Sequence, residues 1–304
     1  STGIPTKTEQ CDFHHAVHGG PGDAPRVVLA PFDVADCFHI GVQAFNLAEE
    51  FQTPVIVLSD QYVGQRKESV VPFDIHQWPV AVRRTLAGDD AGGAISAAEL
   101  VRRNGAAAGN GGGPEGDGAG YLRYVDDGSG VSPMAIPGQP GGTHTVSGLE
   151  HVATGDPTSS AEVHARMSEK RQGKLDRLAR ERGPGLVRHF GAGEGEARLG
   201  VVCWGSTSAQ VREAARVLGR EGLPVRVCVP QLLAPLPLEP LAAFVASVER
   251  TLWVELNHQA QFHRYVRGYL DLPPERTRVH ARSGGTPFTV GEIVDAIRRM
   301  AEEE

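Results

Sequence analysis

A chain of 304 residues that is 40% apolar and 22% charged is long enough to bury a sizeable core and to divide into two domains. Its formal net charge of −7 leaves no basic surplus for nucleic acid, and no apolar run approaches the ~18–20 residues of a membrane span. The four cysteines, at positions 11, 37, 203 and 228, lack CxxC spacing, which suits a reducing cytoplasm and argues against a zinc or iron–sulfur site within this chain.

The first ten residues, STGIPTKTEQ, are small and hydroxylated around Pro5 and Lys7, and read as a loop from the interior of a domain. His14 and His18 follow at i, i+4 with His15 beside them, a spacing that places two imidazoles on one helical face. No acidic third ligand stands at a known spacing, and HGGPGD should break a helix there, so a metal site is the weaker reading. RVVLA (26–30) is a short apolar run suited to a buried strand. Asp33 then offers an N-cap, and Val34, Phe38, Val42, Phe45 and Ala48 recur at helical spacing up to Phe51. PVIVLS (54–59) is a second strand, and strand, helix and strand in about thirty residues make a βαβ unit with a parallel sheet.

The middle of the chain is less regular. NGAAAGNGGGPEGDGAG (104–120) is low-complexity and should lack a packed core, and the stretch from 121 to 157 is rich in Gly, Pro and Ser and should run extended. Residues 159–182 have a helical pattern, with Ser159 and Glu162 spaced for a capping box. Its many bases, among them Lys170, Arg171, Lys174 and Arg177, are expected to form a solvated face, with an anion site or a subunit contact as the alternative.

A second strand–helix alternation closes the chain. GAGEGEARLG (191–200) spaces its glycines before a strand, whereas a dinucleotide fingerprint follows one and opens a helix. Strands are predicted at 199–204, 225–229 and 251–256, and helices at 210–218, 239–249 and 262–269. The last helix starts at Thr289, with Glu292 completing a capping box, and buries Ile293, Val294 and Ile297. This is the pattern of a three-layer α/β domain. WGSTSAQ (204–210) does follow a strand and open a helix, so Ser206, Thr207 and Ser208 are either caps or donors to a phosphate or carboxylate.

Taken together, STGIPTKTEQ, HGGPGDAPRVVLAPFDVADCF, AFNLAEEFQTPVIVLSD, YVDDGSGVSPMAIPG, CWGSTSAQVREA, VELNHQAQFHRYVRG and GGTPFTVGEI resemble the alpha subunit of 2-oxoacid:ferredoxin oxidoreductases, in particular the 2-oxoglutarate type. The resemblance covers nearly the whole chain in order, apart from 104–120. It implies an α/β protein made of the latter half of a thiamine-enzyme pyrimidine-binding domain (1–103), a connector with a basic helix (104–194), and a transketolase-C-terminal-like three-layer domain (195–304). It implies oxidative decarboxylation of a 2-oxoacid to its acyl-CoA with a beta subunit and ferredoxin as partners. Thiamine diphosphate with magnesium would be shared with that subunit, coenzyme A would be co-substrate, and an iron–sulfur cluster would lie in the partner. The resemblance implies no catalytic group in this chain, and it gives Thr6 and Lys7 to the substrate: a hydroxyl donor for its carboxylate and a positive charge nearby. An ordinary surface turn is the competing reading of both. The chain departs from the family pattern at Met134, where Arg is common, and at Ala260, where Gly often precedes the Gln. A non-catalytic interaction subunit is one rival, and a transketolase-like or 2-oxoacid dehydrogenase beta-like protein another.

Overall fold

Val27–Leu29 form strand β1, every residue of it fully buried, in the computed structural model, which describes residues 3–86 and 121–302. The glycine-rich stretch 104–120 lies outside the described residues. Helix α1 (Phe13–His18) precedes β1, and HGGPGD ends this helix instead of preventing it. The βαβ unit is present: helix α2 (Val34–Phe51) leads to β2 (Val55–Val57), which pairs in parallel with β1 and is followed by the short helix α3 (Gln61–Gln65). β6 (Leu232–Ala234), from far along the chain, pairs antiparallel on the other side of β1.

The apolar series read along α2 is buried only in part. The fully buried positions are Ile40, Leu47 and Phe51, whereas Phe45 is 77% exposed and Val34, Phe38, Val42 and Ala48 are half-buried. Two neighbouring apolar stripes run along this helix, and periodicity alone does not choose between them. Phe38 is covered from outside the helix, by a stacked contact with Phe73 at 4.2 Å.

The five-stranded sheet has the order β3 (Val187–Gly191), β5 (Val225–Pro230), β4 (Leu199–Cys203), β7 (Arg250–Glu255), β8 (Thr277–Ala281). All its pairings are parallel except the antiparallel edge formed by β3. β4 and β5 are buried at every position because helices cover both faces, which is why β4 reads as a continuous apolar run and β5 as one broken only by Arg226. On one face Val201, Val227 and Leu252 pack with Val211 and Leu218 of α5 (Thr207–Arg220) and Ile293 and Ile297 of α8 (Val290–Glu302). On the other, Val202, Cys228 and Trp253 pack with Phe244 of α6 (Leu238–Ala246), Phe262 of α7 (Gln261–Val266) and Phe13 of α1. The expected capping box starts α8: Thr289 N–H donates to Glu292 Oε2 at 2.6 Å, and Glu292 N–H to Thr289 Oγ1 at 3.2 Å.

Close contacts divide the chain into two units: Ser1–Phe45, Pro54–Pro79 and Leu178–Glu304 in the first, Asn46–Thr53 and Val80–Arg177 in the second. Both sheets lie in the first. Among the described residues no helix is long and apolar enough to cross a membrane.

The second unit corrects the reading of the basic helix, α4 (Ala161–Arg182). Its cap is Ser160, whose Oγ accepts the Val163 N–H at 3.3 Å, and not Ser159. Its bases are not all on a solvated face. Lys174 is only 7% exposed and donates to the Gln52 carbonyl at 2.9 Å, while Lys170 donates to Tyr124 O at 2.7 Å and Ser132 Oγ at 2.6 Å. Gln52 stands just past the end of α2 at φ 46°, so the Lys174 ammonium meets the negative end of that helix. Burial pulls both lysines down to about 8. The unfolded chain therefore binds protons more strongly than the folded one between pH 8 and about 10.5, and stability should rise with pH across that window. The expected gain is at most about 3 kcal/mol per lysine. Urea unfolding across this range should show a markedly shallower rise in Lys174→Met than in the native chain; equal slopes would mean that Lys174 is not held in this environment.

Candidate functional site

The site is built on the C-terminal ends of parallel strands. The chain runs from β4 through α5 to β5 on one side and reaches β7 on the other, so the sheet changes direction between β4 and β7. In open α/β sheets the crevice at such a point is where ligands gather. Here the crevice is filled from within the chain. The Gln10 side chain, 3% exposed, donates through Nε2 to Trp204 O after β4 at 2.7 Å and accepts the Leu256 N–H after β7 at 2.8 Å. Its backbone N–H returns a bond to Leu256 O at 2.8 Å. Gly205, at φ 57°, makes room: a Cβ there would stand 2.8 Å from Gln10 Nε2.

Further contacts hold the rest of the segment. Thr8 is buried and its Oγ1 accepts the Tyr62 N–H at 3.4 Å. Gln261, opening α7, donates to Cys11 O at 2.9 Å and accepts the His14 N–H at 3.0 Å. The turn of α7 is organised by Glu255, the last residue of β7, which is 1% exposed. Its carboxylate accepts from Phe262 N at 2.9 Å, His263 N at 2.8 Å, Asn257 Nδ2 at 2.9 Å and Trp204 Nε1 at 3.4 Å. Two of these donors are backbone groups of the first turn of α7, which have no partner within their helix. Ala260, just before this turn, adopts φ 48°, a left-handed conformation that glycine takes without penalty. The departure from Gly at this position therefore carries backbone strain.

Thr6 and Lys7 lie at the exposed tip of the anchored segment. Thr6 has φ 56°, an uncommon conformation for a β-branched residue, and its hydroxyl donates to Pro5 O at 2.7 Å. The Lys7 N–H closes a turn on Ile4 O at 3.3 Å.

The serines of WGSTSAQ are not available to an anion. Ser206, Thr207 and Ser208 are 2%, 3% and 0% exposed. Thr207 Oγ1 donates to Trp204 O at 2.7 Å, Ser208 Oγ to Phe32 O at 3.3 Å, and Ser206 makes no side-chain cap bond. Asp33 is the cap that the sequence suggests, accepting the Asp36 N–H at 2.8 Å. Asp36 in turn accepts the Phe32 N–H at 3.1 Å and pairs with Gln231 at 2.5 Å, and burial pushes its carboxyl up. The same cause pushes the Cys203 and Cys228 thiols up, so both are packing groups and not nucleophiles. Among the described residues no three His, Cys, Asp or Glu side chains converge on a point that would hold a metal ion, the His14–His18 pair included.

A profile of the thiamine-diphosphate-binding domain of pyruvate flavodoxin/ferredoxin oxidoreductases matches residues 1–170, more than half of the chain. The chain belongs to this family. It is 32% identical over 302 residues to the Aeropyrum pernix 2-oxoacid:ferredoxin oxidoreductase 2, subunit alpha, covering 99% of this chain and 42% of that protein. To the Mycobacterium tuberculosis 2-oxoglutarate oxidoreductase subunit KorA it is 30% identical, over 100% of this chain and 42% of that one. The chain thus spans less than half the length of these relatives. It also superposes, with a TM-score of 0.80 and 33% identity over 99% of its length, on 47% of a chain of the Magnetococcus marinus 2-oxoglutarate:ferredoxin oxidoreductase, solved with 2-oxoglutarate, coenzyme A and succinyl-CoA bound. The fold class read from the sequence stands on this match. Gln10, Glu255 and Gln261 have no assigned role in the sequence reading; for Glu255 and Gln261 the signal is polar residues at and just past the end of an apolar strand, in WVELNHQAQF, whereas Gln10 has no such signal in STGIPTKTEQ.

Proposed function

We propose that this chain serves within the alpha subunit of a thiamine-diphosphate-dependent 2-oxoacid:ferredoxin oxidoreductase, with 2-oxoglutarate as the 2-oxoacid and succinyl-CoA as the product. The observation that carries the reading is the superposition on the enzyme with 2-oxoglutarate, coenzyme A and succinyl-CoA bound, at 33% identity over 99% of this chain. Thiamine diphosphate supplies the carbon chemistry in such an enzyme. Magnesium, the diphosphate and the iron–sulfur cluster belong to a beta subunit in this reading. This chain contributes recognition. The Thr6 hydroxyl turns from Pro5 O to donate to a substrate carboxylate, and Lys7 lowers the energy of an anion beside it. Gln10 and Glu255 keep the segment fixed, so that little ordering is left to the binding step.

Purified alone with thiamine diphosphate, magnesium, 2-oxoglutarate, coenzyme A and ferredoxin, the chain should show no turnover. Adding a matching beta subunit, together with the part of the alpha relatives that this chain does not span, should restore ferredoxin reduction that depends on 2-oxoglutarate. Turnover by the chain alone defeats the proposal, and so does a reconstituted enzyme indifferent to its presence. That second result would favour the purely structural rival.

A further inference from the structure

The Thr6–Lys7 tip touches a turn from the opposite end of the sequence, Ser283–Gly284–Gly285–Thr286, between β8 and α8. Gly285 is buried at φ 69°, and a Cβ built on it would stand 2.6 Å from Lys7 Cβ, 3.1 Å from Lys7 Cγ and 3.3 Å from Ile4 Cδ1. Lys7 Cβ is one bond from the main chain, so rotating the side chain does not relieve this contact; the backbone of the tip or of the turn has to move. A second tie lies beside it: Gly284 N–H donates to Glu9 Oε1 at 3.1 Å.

The turn is itself braced. Arg282 donates to Thr286 O and Pro287 O, both at 3.1 Å, pairs with Glu292 at 3.3 Å and lies 4.5 Å over the ring of Phe288, a buried core residue. Glu292 belongs to the capping box of α8. A rigid path therefore runs from the packed start of α8 through Arg282 and the glycine turn to the tip. Thr8 and Gln10 anchor only the segment's other end.

We propose that Gly285, with Glu9 as its companion tie, is the positioning residue for Thr6 and Lys7, acting through the shape of the turn without touching substrate. The inference rests on the reading that the tip meets the 2-oxoacid. In the assembled enzyme, Gly285→Ala should speed amide hydrogen exchange at residues 3–9 by about tenfold or more. It should also raise KM for 2-oxoglutarate by about ten- to a hundredfold, with kcat changed by less than about threefold. Glu9→Ala, which adds no strain at a glycine, should shift both readouts in the same direction by smaller factors, and it serves if Gly285→Ala does not fold. Unchanged exchange at 3–9 in both variants overturns the proposal. So does faster exchange with an unchanged KM, provided that Thr6→Val does raise KM in the same assay. If Thr6→Val leaves KM unchanged as well, the placement of the tip at the substrate fails, and the positioning role fails with it.

Discussion

Glu255→Ala should destabilise the chain by roughly 3–5 kcal/mol, a large share of the stability of an ordinary domain. Four N–H groups converge on this carboxylate at 2.8–3.4 Å, and its residue is 1% exposed, so water cannot replace the lost acceptor without opening the core. The deletion would strand the first-turn donors Phe262 N–H and His263 N–H and the indole N–H of Trp204. Glu255→Gln is the finer test. It keeps the shape and one acceptor oxygen, but it turns an NH2 group toward a backbone N–H, so donor faces donor. About half the loss of the alanine variant is expected from it. Chemical unfolding of the two variants against the native chain measures both. A loss under about 1 kcal/mol for Glu255→Ala would mean that the convergent donors find other partners and that α7 is not organised by this residue.

What was legible in the sequence follows the physics of burial. β1, β4 and β5 are wholly buried, so β1 and β4 are uninterrupted apolar runs and β5 is broken only by Arg226, and none needs a partner to be recognised. β3, VRHFG, and β8, TRVHA, are edge strands with polar positions, and β6 is three residues of an apolar stretch next to prolines. Their identity depends on neighbours brought up by the fold. The same holds for the site. Thr6 and Lys7 are proposed on the strength of a motif, whereas Gln10 matters because its amide meets Trp204 and Leu256, 194 and 246 positions away. Lys174 reads as one more solvated base in a charged helix until Gln52, 122 positions earlier, is set against it. Ser206, Thr207 and Ser208 leave the cap and the anion-donor readings both open in the sequence for the opposite reason. Hydroxyls at the start of a helix after a strand suit an anion, but a glutamine from another segment already fills the crevice beside them.

In the assembled enzyme, Thr6→Val should lower kcat/KM for 2-oxoglutarate by roughly ten- to a hundredfold, the effect of losing one hydrogen bond of about 1.5–3 kcal/mol to a charged group. The substitution is nearly isosteric. Both residues are β-branched, so the cost of φ 56° is carried by either and the tip keeps its backbone. Only the hydroxyl goes, and in the free protein its bond is to the carbonyl of Pro5 at an exposed turn, so folding stability should change little. A substrate carboxylate is charged both in the bound ground state and in the transition state, so most of the loss should fall on KM, with kcat and the affinity for thiamine diphosphate almost unchanged. Thr6→Ser, which keeps the donor and removes the methyl, should stay within about threefold of the native enzyme. The pattern to look for is therefore a KM that follows the hydroxyl and not the side-chain shape. If Thr6→Val shifts KM and kcat by less than twofold while lowering the melting temperature, Thr6 is a turn residue held in a strained conformation for the sake of the fold, and recognition of the 2-oxoacid has to be sought elsewhere in the enzyme.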